Sequence, residues 1–194
     1  MRRDIGCLLG ILACAACSDA PFSTNNLTAP TLPGAAPSVS TASPPKNFRA
    51  HLSGGEVIRT LPVPTLAQGQ VTFQLSPDGT ELSHQVIVSN IENVTGAHIH
   101  LGAEGARGPL AALLMIPVPP NGGRIDGVLT TGTLTAASLS GPLAGQPLSA
   151  LIDAIEAGNA YVDIPTNDGV PQIPPFPGTG PGDYPGGELR GQIR

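Results

Sequence analysis

His98 and His100 stand one residue apart in Ala97-His98-Ile99-His100-Leu101 and are the most concentrated coordinating side chains in the chain. In an extended strand, alternate side chains share a face. The two imidazoles therefore project together, while Ile99 faces the other way. Such a pair is a two-nitrogen ligand for copper or zinc, whose sites use three or four protein donors, or fewer plus water. His84 on the preceding strand, His51, and the carboxylates of Glu104, Asp163 and Glu188 could complete the set, although none has diagnostic spacing. In the alternative reading, His98 and His100 hydrogen-bond loop carbonyls and fix the turn Gly102–Gly108.

Other chemistries find little support. Glu188 and Arg190 lie two apart in the last strand and so share a face. We read them as a buried structural ion pair, because no nucleophile or base accompanies them. The Gly102–Pro109 loop has no Lys-Ser/Thr pair and no following helix, so it is not a phosphate cradle. No Gly-X-Ser-X-Gly elbow occurs. All three cysteines, Cys7, Cys14 and Cys17, fall at the N-terminus, which leaves the rest without a thiol, a disulfide or Cys-ligated zinc. The nine Lys and Arg residues are scattered, which argues against nucleic acid as a partner.

The elements that must hold these residues are mostly short strands. Asn47–Leu52, Gln70–Leu75, Leu82–Ser89, Leu110–Ile116, Arg124–Leu134, Asn159–Ile164 and Glu188–Arg194 read as strands around the histidine strand. Val71, Phe73 and Leu75 share one face of the second. Leu82, His84, Val86 and Val88 share one face of the third. Ser76-Pro77-Asp78-Gly79 is a tight turn between them. Leu148–Glu156 is the one helix, with Leu148, Leu151, Ile152 and Ile155 at helical spacing and Gly158 as its stop. Aromatic residues make up only 3% of the chain and Trp is absent, so the core must be aliphatic. With 25 Gly and 22 Pro, turns are abundant. The pattern predicts an all-β sandwich or barrel with one short inserted helix.

The first residues carry a different message. Met1-Arg2-Arg3 precedes the uncharged apolar run Ile5–Ala16, and small residues lead into Cys17. This is the layout of a secretory signal, too short to cross a bilayer as a helix. A cysteine after small residues resembles the lipobox of bacterial lipoproteins, which implies lipid attachment at Cys17; Cys14 is the competing position. Ser18–Pro45 is rich in Ser, Thr, Ala, Pro and Asn and reads as a disordered tether. The expected organisation is a signal peptide at 1–16, lipidated Cys17 with a tether at 17–46, and one domain at 47–194.

Three ordered blocks carry a family resemblance: Phe48–Glu56, Ser76–Thr80 and Ala97–Pro109. Gly158–Asp163 and Gly186–Gln192 close the series. Together they resemble the CHRD domain, named after chordin and also found in bacterial exported proteins. The resemblance implies an immunoglobulin-like β-sandwich with distant similarity to copper/zinc superoxide dismutase, and no general biochemical activity. Two departures stand out. Pro165-Thr166 replaces the family's His-Thr pair, and Asn167–Pro185 is a long insertion before the last strand. The function expected is a non-enzymatic binding module of unknown ligand on an exported lipoprotein. Its contact surface would be the loops Gly102–Pro109 and Asn167–Pro185. Its partners would be the membrane and an unidentified protein or envelope component. It would be anchored in the cell envelope, on the periplasmic face or the cell surface, or else secreted. The alternative is a copper or zinc protein using His98, His100 and His84, with dismutase-like redox activity.

Overall fold

A computed structural model describes residues 45–171 and 180–194. The expected signal peptide, Cys17 and nearly all of the tether lie outside those residues, as does part of the 167–185 loop. The described chain forms eight strands: β1 (Asn47–Ser53), β2 (Gln68–Leu75), β3 (Leu82–Glu92), β4 (Ala97–Leu101), β5 (Leu110–Met115), β6 (Arg124–Leu134), β7 (Ala160–Ile164) and β8 (Leu189–Gln192). One helix, α1 (Leu148–Glu156), precedes β7. All strand pairs are antiparallel, in the order β5-β4-β7-β8-β1-β2-β3-β6.

Hydrophobic alternation builds this sheet. In β3, Leu82, His84, Val86 and Val88 are buried and their neighbours exposed. In β2, Val71 and Phe73 face the same core. The β2–β3 turn closes on side-chain bonds: Asp78 Oδ1 accepts from Ser76 Oγ at 2.6 Å and from the Thr80 amide at 3.2 Å. Gly79 supplies the positive φ of 73° that this turn needs. β3 runs three residues beyond the expected end. A register shift between Val88 and Ile91 accommodates Asn90 at φ 55°, and Ile91 returns to the core.

The sheet curls over one aliphatic core until its two edges approach, so the expected sandwich architecture forms from a single continuous sheet. His84 on β3 spans the gap: its Nε2 hydrogen-bonds the Leu114 carbonyl of β5 at 3.1 Å. Helix α1 lays Leu148, Leu151, Ile152 and Ile155 onto the core. Gly158, at φ 71°, ends it, its backbone N–H donating a hydrogen bond to the Ile155 carbonyl. Each fully buried Leu, Ile or Val contributes about 1.5–3 kcal/mol.

Candidate functional site

β4, β7 and β8 send Ile99, Ala160, Val162, Ile164 and Leu189 into the core. By alternation, His98, His100, Tyr161, Asp163 and Arg190 occupy the opposite face. The register sets them in rows: His98 pairs with Asp163, Asp163 with Arg190, and His100 with Tyr161. Directly opposed residues on adjacent strands lie close together, and the pairs His98–Asp163 and His100–Tyr161 become contacts.

This face is roofed by three segments. Val57 and Ile58 come from the β1–β2 connection, Arg107 and Gly108 from the Gly-rich loop, and Pro185, Gly186 and Gly187 from the loop before β8. Arg107 donates from Nε and Nη2 to the Ile58 carbonyl, which ties two roof segments together. The Arg59 guanidinium lies 5.0 Å from the centre of the Tyr184 ring and joins the third. Between roof and sheet is a cleft of about 360 Å³. Both loops expected to form the contact surface reach it.

Inside the cleft, Asp163 Oδ1 faces His98 Nδ1 and His100 Nε2, each at 3.3 Å. One donor atom from each of the three side chains lies within 4.8 Å of the others. His100 Nδ1 donates to the Gly108 carbonyl at 3.0 Å, since a carbonyl can only accept. Gly108 is required there, because a Cβ would sit 1.4 Å from the Leu101 carbonyl oxygen. Its amide in turn donates to the Tyr161 hydroxyl at 3.1 Å. The His100 ring stacks on Tyr161 at 5.3 Å, and the Arg190 guanidinium lies 3.8 Å from the centre of the Tyr161 ring.

The electrostatics follow. Burial disfavours the charged form of His100, but Asp163 and the Gly108 carbonyl outweigh it and raise the imidazole's pKa. Burial would raise the pKa of Asp163, but the hydrogen bonds and charges of His100 and His98 outweigh it and hold it down. Asp163 is therefore ionised at neutral pH.

The sequence-predicted residues separate into three groups. His98 and His100 converge, and of the three carboxylates considered, Asp163 joins them. His84 does not: it lies on β3 and is engaged with Leu114. Its place in the donor set is corrected, because it shares the core-facing side of β3 with Leu82, Val86 and Val88, whereas His98 and His100 face away from the core. His51 is exposed, and Glu104 pairs with Arg194 at 2.6 Å. Glu188 and Arg190 are both buried but do not pair. Glu188 accepts from the Thr65 hydroxyl, the Thr166 hydroxyl at 2.7 Å and the Gly182 amide at 2.9 Å. Arg190 donates to the carbonyls of Glu56, Ala103 and Ala106. The shared-face argument missed loops that bring nearer acceptors and donors.

Pro165, at the position where the resemblance led us to expect a histidine, lines the cleft without offering a donor. Asp163, two residues earlier on β7, supplies a carboxylate instead. The aromatic stack on Tyr161 went unread, because only the register places His100 and Arg190 around that ring. A family model for the CHRD domain matches residues 48–171, which contain β1 from its second residue, β2 to β7 and α1. Neither a curated protein nor a solved structure matches the chain.

Proposed function

This chain belongs to the CHRD domain family, and from that premise we propose that it is a non-enzymatic, membrane-anchored binding protein whose cleft takes a divalent transition metal ion on His98, His100 and Asp163. One observation carries the metal reading: the two histidine–aspartate separations of 3.3 Å. A charge-assisted N–H···O bond closes to about 2.7–2.9 Å. Two donors on a tetrahedral ion with arms of about 2.0–2.1 Å stand about 3.3 Å apart. The spacing is at the long end for a hydrogen bond and matches two donors on one ion.

The tautomer supports the same conclusion. With Nδ1 of His100 donating to Gly108, a neutral ring turns its Nε2 lone pair toward a carboxylate oxygen. That pair calls for positive charge between nitrogen and oxygen, which a proton on His100 supplies in the metal-free protein, in keeping with its raised pKa, and an ion would supply in the loaded one. A backbone carbonyl that fixes the outer nitrogen is also the usual support for a metal-bound histidine. Two imidazoles and one carboxylate suit zinc or copper(II), with at least one position left open. When bound, the ion supplies a Lewis-acidic centre that holds a ligand. The described cleft offers no nucleophile paired with a base, so we assign it binding rather than turnover.

The test is metal analysis of protein purified without added histidines, stripped with chelator and dialysed against zinc or copper. One ion per chain is expected, falling to none in His98→Ala/His100→Ala. A metal-free protein under micromolar supply refutes the assignment.

A further inference from the structure

We propose that the same cleft binds a small carboxylate with a short apolar body, held between the metal position and the guanidinium groups of Arg107 and Arg190; this rests on the metal reading above. Among the described residues that line the cleft, Asp163 is the one carboxylate, against two arginines and two histidines. Once Asp163 is committed to a dication, positive charge exceeds negative in the cleft, although the whole chain carries a net charge of −5. The excess calls for an anion.

Arg190 makes the same demand on independent grounds. It is 5% exposed, and its hydrogen-bond acceptors are three backbone carbonyls rather than a carboxylate. Its Nε is buried and has no hydrogen-bond partner. Glu56 and Asp163 attract its charge and the Tyr161 ring lies against it, but among the described residues no carboxylate hydrogen-bonds it, and an orphaned buried donor is costly. Arg107 is exposed at the rim and lines the cleft while its Nε and Nη2 stay on the Ile58 carbonyl. A guanidinium presents parallel donors that match the two oxygens of a carboxylate.

The rest of the lining sets the ligand's other end. Val57, Ile58, Pro165, Pro185 and Leu189 give the cleft apolar walls. A volume of about 360 Å³ admits a small molecule or the last residues of a peptide. The recognised chemistry is a carboxylate on an apolar stub, whether a free short-chain acid or a peptide C-terminus.

Cobalt(II) in place of the native ion reports on this by visible absorption. Butyrate should shift the spectrum saturably and neutral butyramide should not. Arg190→Lys, which keeps the charge but loses the planar fork, should weaken butyrate on the order of tenfold. Arg107→Gln, at an exposed position, gives the same readout should the buried variant fail to fold. Tighter binding of Ala-Ala-Val acid than of butyrate, with no response to its amide, assigns a peptide terminus; preference for butyrate assigns a free acid. Cobalt uptake with a spectrum unmoved by butyrate, or moved equally by butyramide, overturns the carboxylate proposal alone. Failure to take up cobalt overturns the metal reading and this proposal with it.

Discussion

At the scale of single residues, Asp163 decides the character of the cleft. It is the one group that touches both imidazoles, and its oxygen Oδ1 makes both contacts. Asp163→Asn keeps the size of the side chain and removes its charge. We expect zinc affinity, read by calorimetric titration, to fall about 100-fold or more, since even outer partners of a metal ligand are worth 10–100-fold. An unchanged affinity would show that the histidines act without it. His98 and His100 were legible in the sequence because period-two alternation fixes their common face. Asp163 was legible only as one of three carboxylates, because the pairing of β4 with β7 spans some sixty intervening residues and no local spacing encodes it. Glu188 and Arg190 show the reverse failure. Their two-residue spacing predicted a shared face of one strand, but Glu188 precedes β8, and Thr65 and Gly182 reach it from loops whose course the sequence does not state. A buried carboxylate with three donors is satisfied without a counter-ion.

At the scale of elements, one seam lies where the curled sheet brings β3 close to the β5 edge. His84 spans it, with Nε2 on the Leu114 carbonyl and Nδ1 buried without a partner. Burial lowers its pKa below the ordinary value, with the Leu114 bond opposing. The sign follows from linkage. Below about pH 6.5 an unfolded histidine takes up a proton that folded His84 resists, so stability falls as pH drops through that value. His100 acts oppositely: its raised pKa adds stability below about pH 6.5, and this is lost as pH rises through the folded value. The two are separated by comparing slopes. Urea unfolding of metal-free protein between pH 7.5 and 5 should lose stability more steeply in the parent than in His84→Gln. Equal slopes would mean that His84 is protonated in place without cost. The strand itself was readable from its alternating Leu82, Val86 and Val88. The seam was not, because two strands far apart in the chain meet there through a side chain rather than a ladder.

At the scale of the whole molecule, the domain holds together without covalent help, as every cysteine precedes it. Its stability rests on one aliphatic core and on loops tied by Glu188, Arg190 and Arg107. The all-β architecture was legible because strand alternation and turn chemistry agree along the whole chain. The curl that makes one sheet serve as both layers was not, since it depends on how β5 and β6 approach each other. No helix among the described residues is long and apolar enough to cross a membrane. The run Ile5–Ala16 is itself too short to span about 30 Å of hydrocarbon. Covalent acyl chains would supply attachment, each buried methylene adding about 0.8 kcal/mol, and one chain alone holds only marginally. We propose that Cys17 carries them. Mass spectrometry of the N-terminus from membranes of a bacterial host should show a diacylglyceryl-modified Cys17, and Cys17→Ser should move the domain into the soluble fraction. An acylated Cys14 would shift the cleavage point and keep the anchor. An unmodified terminus cut elsewhere would remove the anchor and leave a secreted protein with the same cleft.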